Sequence, residues 1–226
     1  MGRGSSGITE SDARPKGGSG GGSGNEPITV HPYRVNPQDL KEAIGTKGRP
    51  IGIANAIEGA NPFYKGGDDG DYSQNCQRAV VAYELRRRGY DVIALPTFPG
   101  DKLPSGNRWL GAFRHAKTVS VGSTNPRVAQ ARLEAQMKSY GNGARGIVKI
   151  PGHVFNVENV GGKVRYVDAQ TNTIYTSNNV FARLGRSAQS VELVRTDNLR
   201  LSDRARKSVT PVTDTVRDIV NRRKRG

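Results

Sequence analysis

A cysteine, a histidine and one of two polar residues in this sequence have the types and the spacing for nucleophilic acyl chemistry: Cys76, His153 and either Asp168 or Gln170. Cys76 is the only cysteine among 226 residues. It opens a helical pattern, Asn75-Cys76-Gln77-Arg78-Ala79-Val80-Val81. A helix N-terminus carries partial positive charge and favours thiolate over thiol. A free cysteine is equally at home as a small buried hydrophobe. To count as a nucleophile it needs a base, and the base needs a group that orients it.

The chain has three histidines. His31 lies in a weakly patterned region, and His115 follows Arg114 with no carboxylate near it in sequence. His153 opens an apolar run that ends at Gly161-Gly162, a two-residue hairpin loop. With that loop, Val160 faces Lys163, Glu158 faces Arg165 as an opposite-charge pair, and Val157 faces Tyr166. Continued outward, the register sets Phe155 against Asp168 and His153 against Gln170. Side chains alternate, so His153, Asp168 and Gln170 share a face, and a one-residue slip would separate them. Asp168 or Gln170 would fix the tautomer of the imidazole, and the backbone N–H of Cys76 or Gln77 would serve an oxyanion, with Asn75 beside them. The plainer alternatives are a satisfied rim histidine and a turn-forming aspartate ahead of Thr171-Asn172.

The elements that must position these groups follow from periodicity and caps. Cys76, Ala79, Val80 and Tyr83 recur at helical spacing and predict a helix over 75–88 with one apolar face. Arg86, Arg87 and Arg88 suit its negative end, Glu84 precedes Arg88 by one turn, and Gly89 supplies the stop. A strand over 90–95 follows. Trp109 and Phe113 read as a core-facing pair on a short helix. A helix over 126–140 has Val128, Ala131, Leu133, Ala135 and Met137 as core candidates. A short helix over 37–44 has Asn36 as N-cap and Gly45 as its stop. Residues 28–30 suggest a strand and Asn61-Pro62 a turn. The acidic, Gly-rich loop 65–72 lacks the spacing of a calcium loop, and no metal site is expected.

Composition bounds the rest. Residues 1–27 contain KGGSGGGSG and read as a disordered Gly/Ser-rich segment. Residues 28–51 read as an N-terminal extension, 52–197 as the folded domain and 198–226 as a basic tail. The net charge is +15. Such an excess favours nucleic acid or an acidic partner, and Arg222, Arg223, Lys224 and Arg225 are the weak nucleic-acid-binding candidates. No apolar run approaches the roughly 18 residues that span a bilayer. The N-terminus lacks the apolar core of a signal peptide, so the expected location is cytoplasmic, or a target cell reached in a virion or through a secretion system.

Asn61-Pro62-Phe63-Tyr64, the run from Asn75 to Val92, Gly152 to Glu158 and Val167 to Thr171 together resemble the papain-fold toxin domains of the glutamine deamidase type, found in polymorphic toxins and phage head-morphogenesis proteins. The resemblance covers roughly residues 52–197 and implies an α+β, papain-like fold, with a nucleophile helix packed on an antiparallel sheet. It implies a Cys76–His153–Asp168 triad acting on the side-chain amide of a protein glutamine, with no cofactor. Many relatives carry a second cysteine where this chain has Ala79; Cys76 is preferred because it has the helix-terminal electrostatics. Two other functions compete: a cysteine protease on the same fold, and a catalytically silent virion-associated basic protein that binds nucleic acid or an acidic partner.

Overall fold

A computed structural model describes residues 39–66, 72–97, 107–175, 180–183 and 187–223. The expected strand at 28–30, the Asn36 cap, the disordered segment 1–27 and most of the acidic loop lie outside the described residues. So do Lys224 and Arg225 and the side chains of Arg222 and Arg223.

A six-stranded antiparallel sheet forms the centre. Its strands are β2 (Val119–Ser120), β3 (Arg145–Ile150), β4 (His153–Val160), β5 (Lys163–Asp168), β6 (Thr173–Tyr175) and β7 (Glu192–Arg195), in the order β2-β7-β3-β4-β5-β6. Alternation along each strand divides its side chains between two cores. Ile147, Val154, Val167 and Val194 face one side, where they meet α3 (Cys76–Arg87). Val148, Phe155, Val157, Tyr166 and Leu193 face the other, under α4 (Pro126–Ser139) and α5 (Val180–Arg183). The architecture is therefore α+β, with a helix packed on an antiparallel sheet.

The hairpin register is the expected one. Val160 pairs with Lys163, Glu158 with Arg165, Val157 with Tyr166 and Asn156 with Val167. The ladder ends at that last pair, so Phe155–Asp168 and His153–Gln170 are not rungs of it. The charge that answers Glu158 is also different. Glu158 is buried, accepts from Tyr83 Oη at 2.7 Å and pairs with Arg87 at 2.7 Å, while Arg165 is exposed.

Helix α3 differs most from a surface helix with one apolar face. Ten of its twelve residues are buried, because it is enclosed by the sheet and by α1 (Leu40–Ile44), α2 (Ile53–Ala60) and β1 (Val92–Ala94). Its three terminal arginines do more than oppose the helix dipole. Arg86 reaches Asp91 at 2.7 Å, Arg87 reaches Glu158, and Arg88 reaches Glu84 at 2.7 Å. Glu84 is fully buried and also holds Arg145 of β3 at 2.9 Å. Burial of α3 thus puts charge inside the protein, and each of these charges is paired there.

Gly89 stops α3 as expected, with φ at 101°. A Cβ there would also lie 2.4 Å from Gly48 O. Gly89→Ala therefore combines a left-handed backbone with a backbone clash, and an expected loss of about 2–4 kcal/mol is measurable by urea unfolding.

Other expectations shift in place. Helix α1 begins at Leu40, where Asp39 caps it by accepting from the Glu42 N–H at 2.8 Å. Helix α2 leads into the expected Asn61-Pro62 turn, and Asn61 follows its last turn. The strand read over 90–95 shortens to β1. Trp109 and Phe113 are buried about a short 3-10 helix, Leu110–Ala112. On α4 the buried stripe is Ala129, Gln130, Leu133 and Met137, while Val128, Ala131 and Ala135 are exposed. The pattern was read out of phase there because alanine serves either face equally.

The region read as a basic tail is woven into the fold. Leu201 bridges Phe113, Ala205 of a 3-10 helix (Asp203–Lys207) is fully buried, and β8 (Val209–Pro211) pairs with β1. Helix α6 (Asp214–Arg223) then packs Val216 against Phe63 and Ile93. Basic residues masked the alternating apolar ones: Leu201, Ala205 and Val209 point inward, and Arg200, Arg204 and Lys207 point out. No described helix is long and apolar enough to cross a membrane.

Candidate active site

Cys76 is the first residue of α3, His153 the first of β4 and Asp168 the last of β5. All three stand at element ends, and those ends converge at one rim of the sheet. His153 Nε2 donates to Asp168 Oδ2 at 2.9 Å. Cys76 and His153 line the same cavity, and the thiol lies near enough to the ring to influence its protonation. With Nε2 turned to Asp168, Nδ1 is the nitrogen left for the sulfur.

The aspartate is held on both oxygens. Asp168 Oδ1 accepts the backbone N–H of Gln170 at 3.1 Å, and the residue is 2% exposed. Asp168 thus does more than end a strand: it fixes the Nε2 side of the His153 ring.

Burial alone would favour neutral His153 and push its pKa down. The hydrogen bonds and charges of Asp168 and Cys76 overcome that and raise it to about 9. The sign of the linkage follows. Stability contributed by protonated His153 is fully present below its unfolded value near 6.5 and is lost as pH rises through about 9. Chemical denaturation between those two pH values should show wild type losing stability that His153→Gln does not lose.

Asn75 and Gln170 have roles other than the expected ones. Asn75 caps α3 by position, but its side chain makes no capping bond. Its Nδ2 donates to Asn61 Oδ1 at 2.9 Å and to Leu95 O at 3.0 Å, which commits both amide protons away from an oxyanion. The Gln170 side chain donates to Ser73 O rather than to the imidazole. Asn61 completes this buried set, donating to Tyr72 O at 3.0 Å and Gln170 O at 2.8 Å. Together these amides tie the turn before Cys76 to the end of β5 and so hold the thiol and the carboxylate in one frame. In the sequence Asn61 stands out as a turn residue and as the start of the resemblance motif Asn61-Pro62-Phe63-Tyr64, with no role for its amide.

A cavity of about 310 Å³ opens over the cysteine. Cys76, Gln77, Trp109, Lys149, Gly152, His153, Ser190 and Glu192 are among its walls. Gln77 is there as expected, and its Oε1 accepts the Arg108 backbone N–H at 3.0 Å. Trp109 is a wall of this cavity as well as a core residue, and its indole N–H has no hydrogen-bond partner among the described residues. Lys149 and Glu192 face each other across β3 and β7 and pair at 3.2 Å. No sequence signal joins those two, because strands 43 residues apart meet only through the sheet order. Ala79 is fully buried in the α3 core and is not among the cavity walls.

The arrangement can do acyl transfer. A thiol at a helix start meets an imidazole whose far nitrogen is fixed by a buried carboxylate. Cys76 and Gln77 are the first two helical residues, so their N–H groups have no intrahelical acceptor and are suited to an oxyanion. Among the described residues no cluster of three or more His, Cys, Asp or Glu side chains could hold a metal ion.

No curated protein and no solved structure matches the chain. A family model does. Residues 74–173, the stretch that contains Cys76, His153 and Asp168, match the family described as papain fold toxin 1, glutamine deamidase.

Proposed function

We propose that the domain is a protein-glutamine deamidase in which Cys76 is the nucleophile, His153 the acid and base, and Asp168 the group that orients it. The observation that carries this reading is the His153–Asp168 hydrogen bond at 2.9 Å beside Cys76 at the wall of one open cavity. A helix start and a neighbouring imidazolium are the two surroundings that favour sulfur as an anion. The thiolate attacks Cδ of the glutamine carboxamide. The oxyanion forms beside the N–H groups of Cys76 and Gln77. His153 gives its proton to the departing ammonia, leaving a thioester on Cys76. Neutral His153 then takes a proton from water, the hydroxide attacks the thioester, and glutamate leaves as the thiolate–imidazolium pair returns. Glutamine and water become glutamate and ammonia, with no redox change.

The matched family supports a protein substrate and a toxin context. Peptide cleavage would begin with the same attack, but its leaving group is an amine on the main chain. The test is incubation with proteins of a candidate target cell, read by mass spectrometry and ammonia release. The expected product gains roughly 1 Da at a glutamine with the main chain intact, as exchange of nitrogen for oxygen through an acyl-enzyme requires. Cut peptides without that gain would replace the deamidase reading by a protease.

A further inference from the structure

A basic face adjoins the cavity, and the chemistry above makes no use of it. Residues 107–120 carry Arg108, Arg114 and Lys117 and no carboxylate. Residues 198–207 carry Arg200, Arg204, Arg206 and Lys207 with a single carboxylate, Asp203, which pairs with Arg206 at 3.0 Å. The two segments run side by side. The Arg114 N–H donates to Arg200 O at 2.8 Å, the Ser202 N–H donates to Ala112 O at 2.9 Å, and Phe113 bridges Leu201. Phe113 points into the core, so alternation turns Arg114 outward and its cross-strand neighbour Arg200 with it. Both are exposed, as is Arg204, whose stem passes 3.3 Å from where a Cβ on Gly111 would stand.

This face reaches the cavity through Arg108. That residue is exposed, its N–H is bonded to Gln77, and its neighbour Trp109 is a cavity wall. A polypeptide with one side chain in the cavity and its main chain running past Trp109 meets Arg108 first and the Arg114–Arg200–Arg204 group beyond it.

We propose that this face docks an acidic stretch of the protein substrate, so that the target glutamine is selected by carboxylates near it in sequence. The inference rests on the deamidase reading of Cys76. Cations held close together on a fixed backbone repel one another, and an acidic ligand turns that repulsion into attraction that is strong at low salt and screened at high salt. A protein fits this face better than a nucleic acid does. Trp109 and Phe113, the large aromatics of the two segments, are buried, so they offer bases no stacking platform. The adjoining cavity, for its part, suits a side-chain amide.

The full-length protein is assayed with two short synthetic peptides, each with one central glutamine, flanked by glutamates in one and by serines in the other. Wild type should deamidate the glutamate-flanked peptide with kcat/KM about tenfold higher, through KM, and the advantage should vanish in high salt. Arg200→Glu/Arg204→Glu should abolish the preference or reverse it, with folding checked by thermal melting. Arg127→Glu/Lys163→Glu, the same charge change made on exposed residues elsewhere, should keep it. Equal rates on both peptides in wild type, or a preference that survives Arg200→Glu/Arg204→Glu, would overturn the proposal. So would a single-stranded oligonucleotide that binds through Arg200 and Arg204 more tightly than the acidic peptide. If neither peptide is deamidated, anisotropy of fluorescein-labelled peptides still decides. Acidic-peptide binding lost in Arg200→Glu/Arg204→Glu supports the docking face while the deamidase reading fails. Equal binding of both peptides rejects the face.

Discussion

Cys76→Ala is expected to lose at least about a thousandfold in deamidation, because a covalent route has no substitute for its nucleophile. The fold should survive. The sulfur is a small part of the α3 core, and the residue is 8% exposed beside a cavity that already admits solvent. The thermal midpoint should therefore move by only a few degrees while activity disappears. Cys76 is the sole thiol in the chain, so iodoacetamide labelling reads this site alone. Its rate at neutral pH should fall in His153→Ala, since the imidazole activates the sulfur. A labelling rate unchanged in His153→Ala, with Cys76→Ala as active as wild type, would remove Cys76 from the chemistry.

Glu84→Ala should produce the largest loss of stability, about 3–5 kcal/mol, as expected when a buried charge network loses its one anion. Glu84 is 0% exposed and stands between two guanidiniums, Arg88 at 2.7 Å and Arg145 at 2.9 Å. Both arginines are themselves mostly buried, with side chains 13% and 17% exposed. Without the carboxylate they face each other across the gap between α3 and β3. Urea unfolding measures the loss, and a double-mutant cycle with Arg145→Ala should return a coupling of at least about 1 kcal/mol. Arg88 also donates to Leu199 O at 2.7 Å, so the damage should spread to the segment that carries Arg200. Activity should fall as well, since α3 carries Cys76 at its other end.

The site was more legible in the sequence than the fold around it. Gly161-Gly162 sets the hairpin register by local turn geometry, and that alone brings His153 and Asp168 to one end of the sheet. Gly89 marks the end of α3 because only its left-handed backbone fits there. What stayed hidden depends on long-range packing. The pattern of α3 suggests one buried face, and its charged residues conceal that it is enclosed on all sides. Glu158 looks like the partner of Arg165 across the hairpin, yet the sheet turns it to Arg87 on the helix. Asn61, Asn75 and Gln170 carry amides whose partners lie up to 109 residues away, a separation that leaves no periodic trace. The stretch 199–211 reads as basic, and only the pairing of β8 with β1 reveals its inward side.

That last pairing also sets the order in which the protein can be assembled. Strand β1 follows Cys76 closely, but its partner β8 emerges from the ribosome more than a hundred residues later. The arginine that closes α3 likewise waits for the carbonyl of Leu199. Contacts of such high contact order form slowly, because the chain between them must close before they give any return. A nascent chain stopped just beyond Asp168 would hold the cysteine, the histidine and the aspartate, yet leave β1 without its partner strand and Arg88 without the carbonyl of Leu199. This topology would delay completion of the candidate site's surroundings until synthesis has passed Pro211.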